Sequence, residues 1–434
     1  MLIRFKVANY RSIRETQKLS MVPAAAKEHL ETHTSPSGIK DPDRLLRSAV
    51  IYGPNAAGKT NVLKALQFMQ GLVINSAVAP PTAESPYDPF RLSSATREAP
   101  SEFEVAFLQE DTLYEYGFKL TAERVYEEWL DEYPRGRGRR LFYRKYDNHK
   151  REYQWNFSTL FKGNRLLWRD STRENALFLS TAAQLNSVQL LPVSAWFQRR
   201  LVFVAGITGF NASLTLNLLK STEGKNSLLS FIREADPGIA DVELQHEDLA
   251  SLRMRGRAGI GGIFQGPGFG FGPMLFDQQS PDGPPSLAKV SFAHKAMDEG
   301  VSVKIDMSQE SAGTQALFMT AGAWLNVLRN GEVLLFDEID TSLHPLLTRF
   351  LVHQFHSDET NPNRAQLIFS THDTTLLSQA VFRRDQVWFV EKGEDNATKL
   401  FPLTEFHPRN DEALERAYLR GRYGAVPVLN DVPF

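Results

Sequence analysis

Apolar positions near the amino terminus fall on every second residue: Ile3, Phe5 and Val7 alternate with Arg4, Lys6 and Ala8. That period predicts a half-buried strand. Ser48–Tyr52 is a short apolar run that stops at Gly53-Pro54, and it reads as a buried strand feeding a loop. After Thr60 the period changes, because Val62, Leu63, Leu66 and Met69 recur at helical spacing. A strand, a glycine-bearing loop and a helix are thus expected in immediate succession.

Farther along, residues 76–100 are rich in Pro, Ser, Thr and Ala and read as a surface loop. Phe103–Phe107 and Tyr114–Leu120 suggest a β-meander over 102–146. The basic run Arg135–Arg140 then falls on a turn, open to two readings: a solvated hairpin tip or a phosphate-contacting patch. Residues 174–250 look mostly helical, and the glycine-rich stretch 256–273 reads as a loop. Gly256–Gly261 has no strand before it and no helix after it, so it is no dinucleotide fingerprint.

The last third returns to α/β. Gln315–Leu328 reads as an amphipathic helix and Val333–Phe336 as a buried strand. A helix is expected over Leu343–Phe355, with Leu343, Leu346, Leu347, Phe350 and Leu351 on one face. Gln366–Ser370 and Gln386–Val390 read as two further strands. Strands alternating with helices imply a largely parallel sheet with both faces covered.

Composition changes this picture little. The chain has 434 residues, 42% apolar and 23% charged, which is ordinary for a globular protein. A formal charge of −2 supplies no general attraction to nucleic acid, so DNA binding would need a local patch. There is no cysteine, which excludes disulfides and thiolate metal sites. No signal-peptide pattern opens the sequence, and no run approaches the ~20 apolar residues of a membrane span. The expectation is a soluble, cytoplasmic protein with no membrane partner.

Four short segments carry chemistry. Gly53, Pro54, Asn55, Ala56, Ala57, Gly58, Lys59 and Thr60 satisfy the P-loop pattern G-x-x-x-x-G-K-[ST]. Its glycines let backbone N–H groups form an anion nest, and the following helix adds its positive end. Lys59 is expected to reach the β- and γ-phosphates of ATP, and Thr60 to place a hydroxyl on Mg²⁺. In Val333–Glu338, Asp337 ends a strand where it can hold Mg²⁺ and Glu338 can orient or deprotonate water. The alternative for this pair is an acidic strand end capping the next helix. His372, in Ser370–Asp373, is either a packing residue or a sensor of the γ-phosphate. Glu310–Thr314 is either a plain helix cap or a second anion-binding cup made by Ser311 and Gly313.

In this order the segments resemble the ABC-type ATPase heads of the SMC and RecF group. Asn9-Tyr-Arg-Ser12 looks like the element that opens those heads, which places Arg11 with the nucleotide-binding residues. Glu310–Thr314 then aligns with the signature motif, Ser342–Pro345 with the D-loop, and His372 with the switch histidine. The resemblance covers residues 1–75 and 300–434 well. A closer resemblance is to stand-alone RecF-like ATPases of phage-defence and abortive-infection operons, above all PARIS-type ATPase subunits. The signature reads Glu-Ser-x-Gly-Thr rather than the transporter wording, and Tyr418–Pro427 is similar to that family's ending.

The resemblance implies an ABC/SMC-type P-loop ATPase head with a β-meander lobe and a short helical lid in place of coiled-coil arms. The expected parts are residues 1–190 and 301–434 for the two halves of the head and 191–300 for the lid. It also implies a head-to-head dimer or higher homo-oligomer, ATP and Mg²⁺ as ligands, and a phage-encoded trigger protein. About 60 residues follow His372, too few for a TOPRIM domain, so a TOPRIM-type nuclease effector is expected on another chain. The alternative is a RecF- or SMC-like repair ATPase that clamps DNA.

Overall fold

The computed structural model describes residues 1–80, 86–206, 212–234, 236–247, 275–278, 285–296, 301–341, 343–409 and 411–427. The chain divides into two compact units. The first holds Met1–Val204, Leu328–Asp340 and Arg349–Phe434; the second holds Ala205–Val327 and Thr341–Thr348.

Two sheets organise the first unit. One has seven strands in the order Glu152–Phe157, Arg139–Asp147, Val125–Tyr133, Thr112–Leu120, Ser101–Gln109, Leu2–Ala8, Gln17–Ser20. Every neighbouring pair is antiparallel, which is the expected meander with the amino-terminal strand added at its side. Phe5, Val7, Phe103, Val105, Tyr116 and Phe118 share its buried cluster. Alternation predicts that face for Phe5 and Val7, whereas Ile3, beside a register shift at Leu2/Arg4, packs in a separate cluster with Leu45, Ala106 and Leu108.

The other sheet has the order Leu201–Ala205, Val333–Asp337, Gln366–Ser370, Ser48–Tyr52, Val387–Lys392, Thr398–Pro402. The three pairings in its centre are parallel, and the last is an antiparallel hairpin. Every residue of Val333–Asp337, Gln366–Ser370 and Ser48–Tyr52 is buried. Such continuous burial is what a parallel sheet covered on both faces requires. Helix Lys59–Asn75 buries Val62, Leu63, Leu66 and Met69 and packs toward the first two of these strands.

The second unit departs from the expected run of helices. Helices Ser213–Leu218 and Thr222–Arg233 are present, but Ile239–Glu247 is a strand. It pairs with Pro285–Lys295, which also carries Leu275–Gln278 and Ser302–Asp306. The partner strand lies some forty residues away, so local helical spacing could not reveal the pairing. Helix Ala312–Asn330 begins in this unit, and its Phe318 meets Phe292 edge-on at 5.6 Å. The observed helix Pro345–His356 starts two residues later than expected, and Leu346 is 68% exposed rather than packed with its neighbours. The stretch 256–273 and Ser342 lie outside the described residues. Among the described residues no helix is long and apolar enough to cross a membrane.

Candidate functional site

The strand Ser48–Tyr52 delivers the chain into the P-loop beneath a neighbouring strand. A side chain at Gly53 would come within 2.2 Å of Val390 O, so only glycine fits there. Gly58 sits at φ 113°, and a Cβ on it would lie 2.1 Å from Thr398 Oγ1. Ala56 adopts φ 61°. Left-handed residues alternating with ordinary ones turn successive N–H groups to one side, as an anion nest needs. Pro54 is half-buried, Asn55 and Ala56 are exposed, and Ala57, Gly58 and Lys59 are buried.

Lys59 opens helix Lys59–Asn75 and is only 6% exposed. Its Nζ donates to Gly53 O at 2.8 Å and Pro54 O at 3.2 Å. Burial lowers its pKa, while the charges of Glu338, Asp337 and Asp340 act in the opposite sense. A buried ammonium facing three carboxylates, and bonded only to neutral carbonyls, suits a polyanion that arrives with Mg²⁺. Thr60 is half-buried at the same helix start.

The carboxylates come from the end of Val333–Asp337. Asp337 is 7% exposed and accepts from Ser370 Oγ at 2.5 Å. Glu338 is exposed, with φ 55°, and its amide donates to Ser370 Oγ at 2.8 Å. A glutamate in the left-handed region costs about 1–2 kcal/mol, so its neighbours must hold it there. The strand Gln366–Ser370 lies between the Asp337 strand and the P-loop strand, so all three parallel strand ends meet. His372 follows it after one residue, Thr371. Its amide lies 3.2 Å and 3.3 Å from the two Asp340 oxygens. Desolvation and then the Lys59 charge lower its imidazole pKa, against Asp340, Glu338 and Asp337.

The geometry therefore gathers Lys59, Asp337, Glu338 and His372, as the sequence predicts. It adds a role for Ser370, the first residue of the Ser370–Asp373 segment, and it adds Asp340, which no motif singles out. Arg11 is engaged elsewhere: its Nε pairs with Asp88 Oδ2 at 3.0 Å and its amide with Asp88 O at 2.8 Å. Its neighbour Ser12 reaches the P-loop instead. In the second unit, Ser311 Oγ accepts from Thr314 N at 3.1 Å, so it is a genuine helix cap. A side chain at Gly313 would meet nothing nearer than Leu347 Cδ1 at 3.6 Å, so packing does not demand glycine there. At the basic turn, Arg139 pairs with Glu132 at 2.6 Å and Arg140 with both Asp131 oxygens at 2.8 Å. These two arginines carry little free charge for phosphate, which favours the hairpin-tip reading.

No curated protein matches the sequence. Among solved structures, the SMC head domain from Thermotoga maritima is similar at 12% identity and a TM-score of 0.42, covering 92% of this chain and 98% of that one. A family pattern described as "AAA domain, putative AbiEii toxin, Type IV TA system" matches residues 48–202 and 204–378, and the chain belongs to that family.

Proposed function

We propose that this protein binds and hydrolyses ATP as the sensor and scaffold ATPase of an anti-phage defence system. The observation that carries the reading is the meeting of Lys59, Asp337, Glu338 and His372 at three adjacent parallel strand ends. Gly53–Thr60 would hold the phosphates, Thr60 and Asp337 the Mg²⁺, and Glu338 the attacking water. Bound Mg²⁺ would neutralise charge that develops on the phosphates. The family description, with its AbiEii-toxin and Type IV TA-system wording, supports a defence role. Size and layout are most like AriA, the ATPase subunit of the PARIS anti-phage system. On that likeness the partner is a separate toxic effector, a TOPRIM-type nuclease, released when a phage protein is sensed.

Two variants test the enzyme reading. Lys59→Ala should lose MgATP binding and phosphate release together. Glu338→Gln should bind MgATP but release phosphate slower by ~10²-fold or more, the usual scale for lost acid–base catalysis. Parent-like binding and turnover in Lys59→Ala would refute the site. For the defence role, phage plating is measured on cells carrying the chain with its neighbouring genes. Protection that survives Lys59→Ala would remove ATP from the mechanism.

A further inference from the structure

Three segments far apart in sequence close on the P-loop from one side. Ser12 follows the first strand, Asn61 lies in the first turn of the P-loop helix, and Thr398 opens the last strand of the parallel sheet. Asn61 Nδ2 donates to Ser12 Oγ at 2.7 Å. Ser12 Oγ lies 2.7 Å from Thr398 Oγ1, which lies 2.8 Å from Ala57 O. A carbonyl only accepts, so the single hydroxyl proton of Thr398 goes to Ala57. Ser12 then donates to Thr398 and accepts from Asn61, and every proton in the chain has one direction. A backbone bond from Thr398 N to Ser12 O at 2.7 Å locks the pair together. Thr398 is 1% exposed, so water does not replace these contacts.

The Ala57–Gly58 peptide is what this chain of bonds holds. In a planar trans peptide the C=O and the next N–H point to opposite sides. Pinning Ala57 O on the Thr398 side therefore aims the Gly58 N–H the other way. Thr398 also occupies the space that a side chain on Gly58 would need. Resting on the reading of Gly53–Thr60 as the phosphate loop, we propose that Thr398 is a positioning residue for nucleotide: with Ser12 and Asn61 it presets the Gly58 amide toward the phosphates. It touches no ligand itself.

Thr398→Val keeps the shape and removes the hydroxyl, and Thr398→Ser keeps the hydroxyl. In the full chain, MgATP and MgADP dissociation constants should rise about tenfold in Thr398→Val, the scale of one lost buried hydrogen bond. Thr398→Ser should return to within about twofold of the parent, and kcat at saturating MgATP should move far less than KM in either variant. Parent-like affinity in folded Thr398→Val, or equal weakness in Thr398→Ser, overturns the proposal. Should Thr398→Val fail to fold, Asn61→Ala decides, because it loosens the same Ser12 hydroxyl from a half-buried position; unchanged affinity there also overturns it. Lys59→Ala is measured alongside. If it binds MgATP as the parent does, the phosphate-loop reading fails and takes the proposal with it; if it loses binding, any failure belongs to Thr398 alone.

Discussion

Ser370 Oγ donates to Asp337 Oδ1 at 2.5 Å while accepting from the Glu338 amide at 2.8 Å. One hydroxyl thus fixes the carboxylate expected on Mg²⁺ and the backbone that carries the expected base. Because Glu338 sits at φ 55°, that support decides where its side chain points. Ser370→Ala should cost about 1–2 kcal/mol of stability, as for a buried partner left unpaired. It should also slow phosphate release by ~10-fold or more with MgATP affinity little changed, since the P-loop is untouched. Turnover equal to the parent would show that Glu338 needs no such support.

The meander lobe hangs on a fully buried ion pair. Glu128 and Arg144 are both 0% exposed and lie 2.8 Å apart. Glu128 also accepts from Tyr116 OH at 2.9 Å and from the amides of Phe178 and Leu179 at 2.7 Å and 2.9 Å. It therefore caps helix Phe178–Gln184 as well as neutralising the arginine. Glu128→Ala leaves Arg144 buried without its counter-charge and should destabilise the lobe by about 3–5 kcal/mol. Urea unfolding measures this; a loss under 1 kcal/mol would mean that water reaches the arginine.

How much of this was legible in the sequence depends on distance along the chain. Ser48–Tyr52 and Gln366–Ser370 have the predicted boundaries because each is a continuous buried run closed by its own chemistry. The P-loop and Asp337–Glu338 were legible for the same reason. The relation of Thr398 to Ala57 spans 341 positions and has no local signature; only the folded sheets bring the two together. Arg11 shows the converse. Its motif said nothing of Asp88, which lies in a loop with no periodic pattern and pairs with the Arg11 Nε only once the chain is folded.

Stability should also depend on pH through a histidine stack. The rings of His33 and His356 lie 3.8 Å apart, and those of His29 and His33 lie 4.8 Å apart. Burial pulls the pKa of His33 down to about 4, with His29, Arg383 and Arg47 adding to it against the Val381 carbonyl. Burial likewise holds fully buried His356 well below the ordinary value. An unfolded histidine titrates near ~6.5 and so takes up its proton first as pH falls. The contribution of neutral His33 is therefore complete above about 6.5 and is lost progressively toward about 4. The urea midpoint should fall between pH 7 and 5, and His33→Asn should flatten that slope. A midpoint independent of pH over this interval would mean that the stack is charged or open in the folded protein.

The final prediction concerns how many chains make one site. If this protein works as a head-to-head dimer, the P-loop of one protomer is completed by Ser311 and Gly313 of the other. Ser311 caps its own helix, but Gly313 has no local need to be glycine, and glycine in a helix costs up to ~1 kcal/mol relative to alanine. That cost has a purpose if phosphate approaches the helix start closely. Gly313→Ala should then leave stability equal or slightly higher while reducing turnover. Ser311→Arg should bind MgATP nearly as the parent does, because Gly53–Thr60 is intact, yet fail to dimerise with ATP or hydrolyse it. Mixing Ser311→Arg with Lys59→Ala is the sharper measurement. A mixed dimer has one face with both lesions and one with neither, so turnover plotted against mixing ratio should rise above both components. Differently tagged chains check that protomers exchange. If they co-assemble and the mixture stays inactive, the sites are not shared or must act together. If Ser311→Arg alone turns over ATP at the parent rate, Glu310–Thr314 is a helix cap and nothing more.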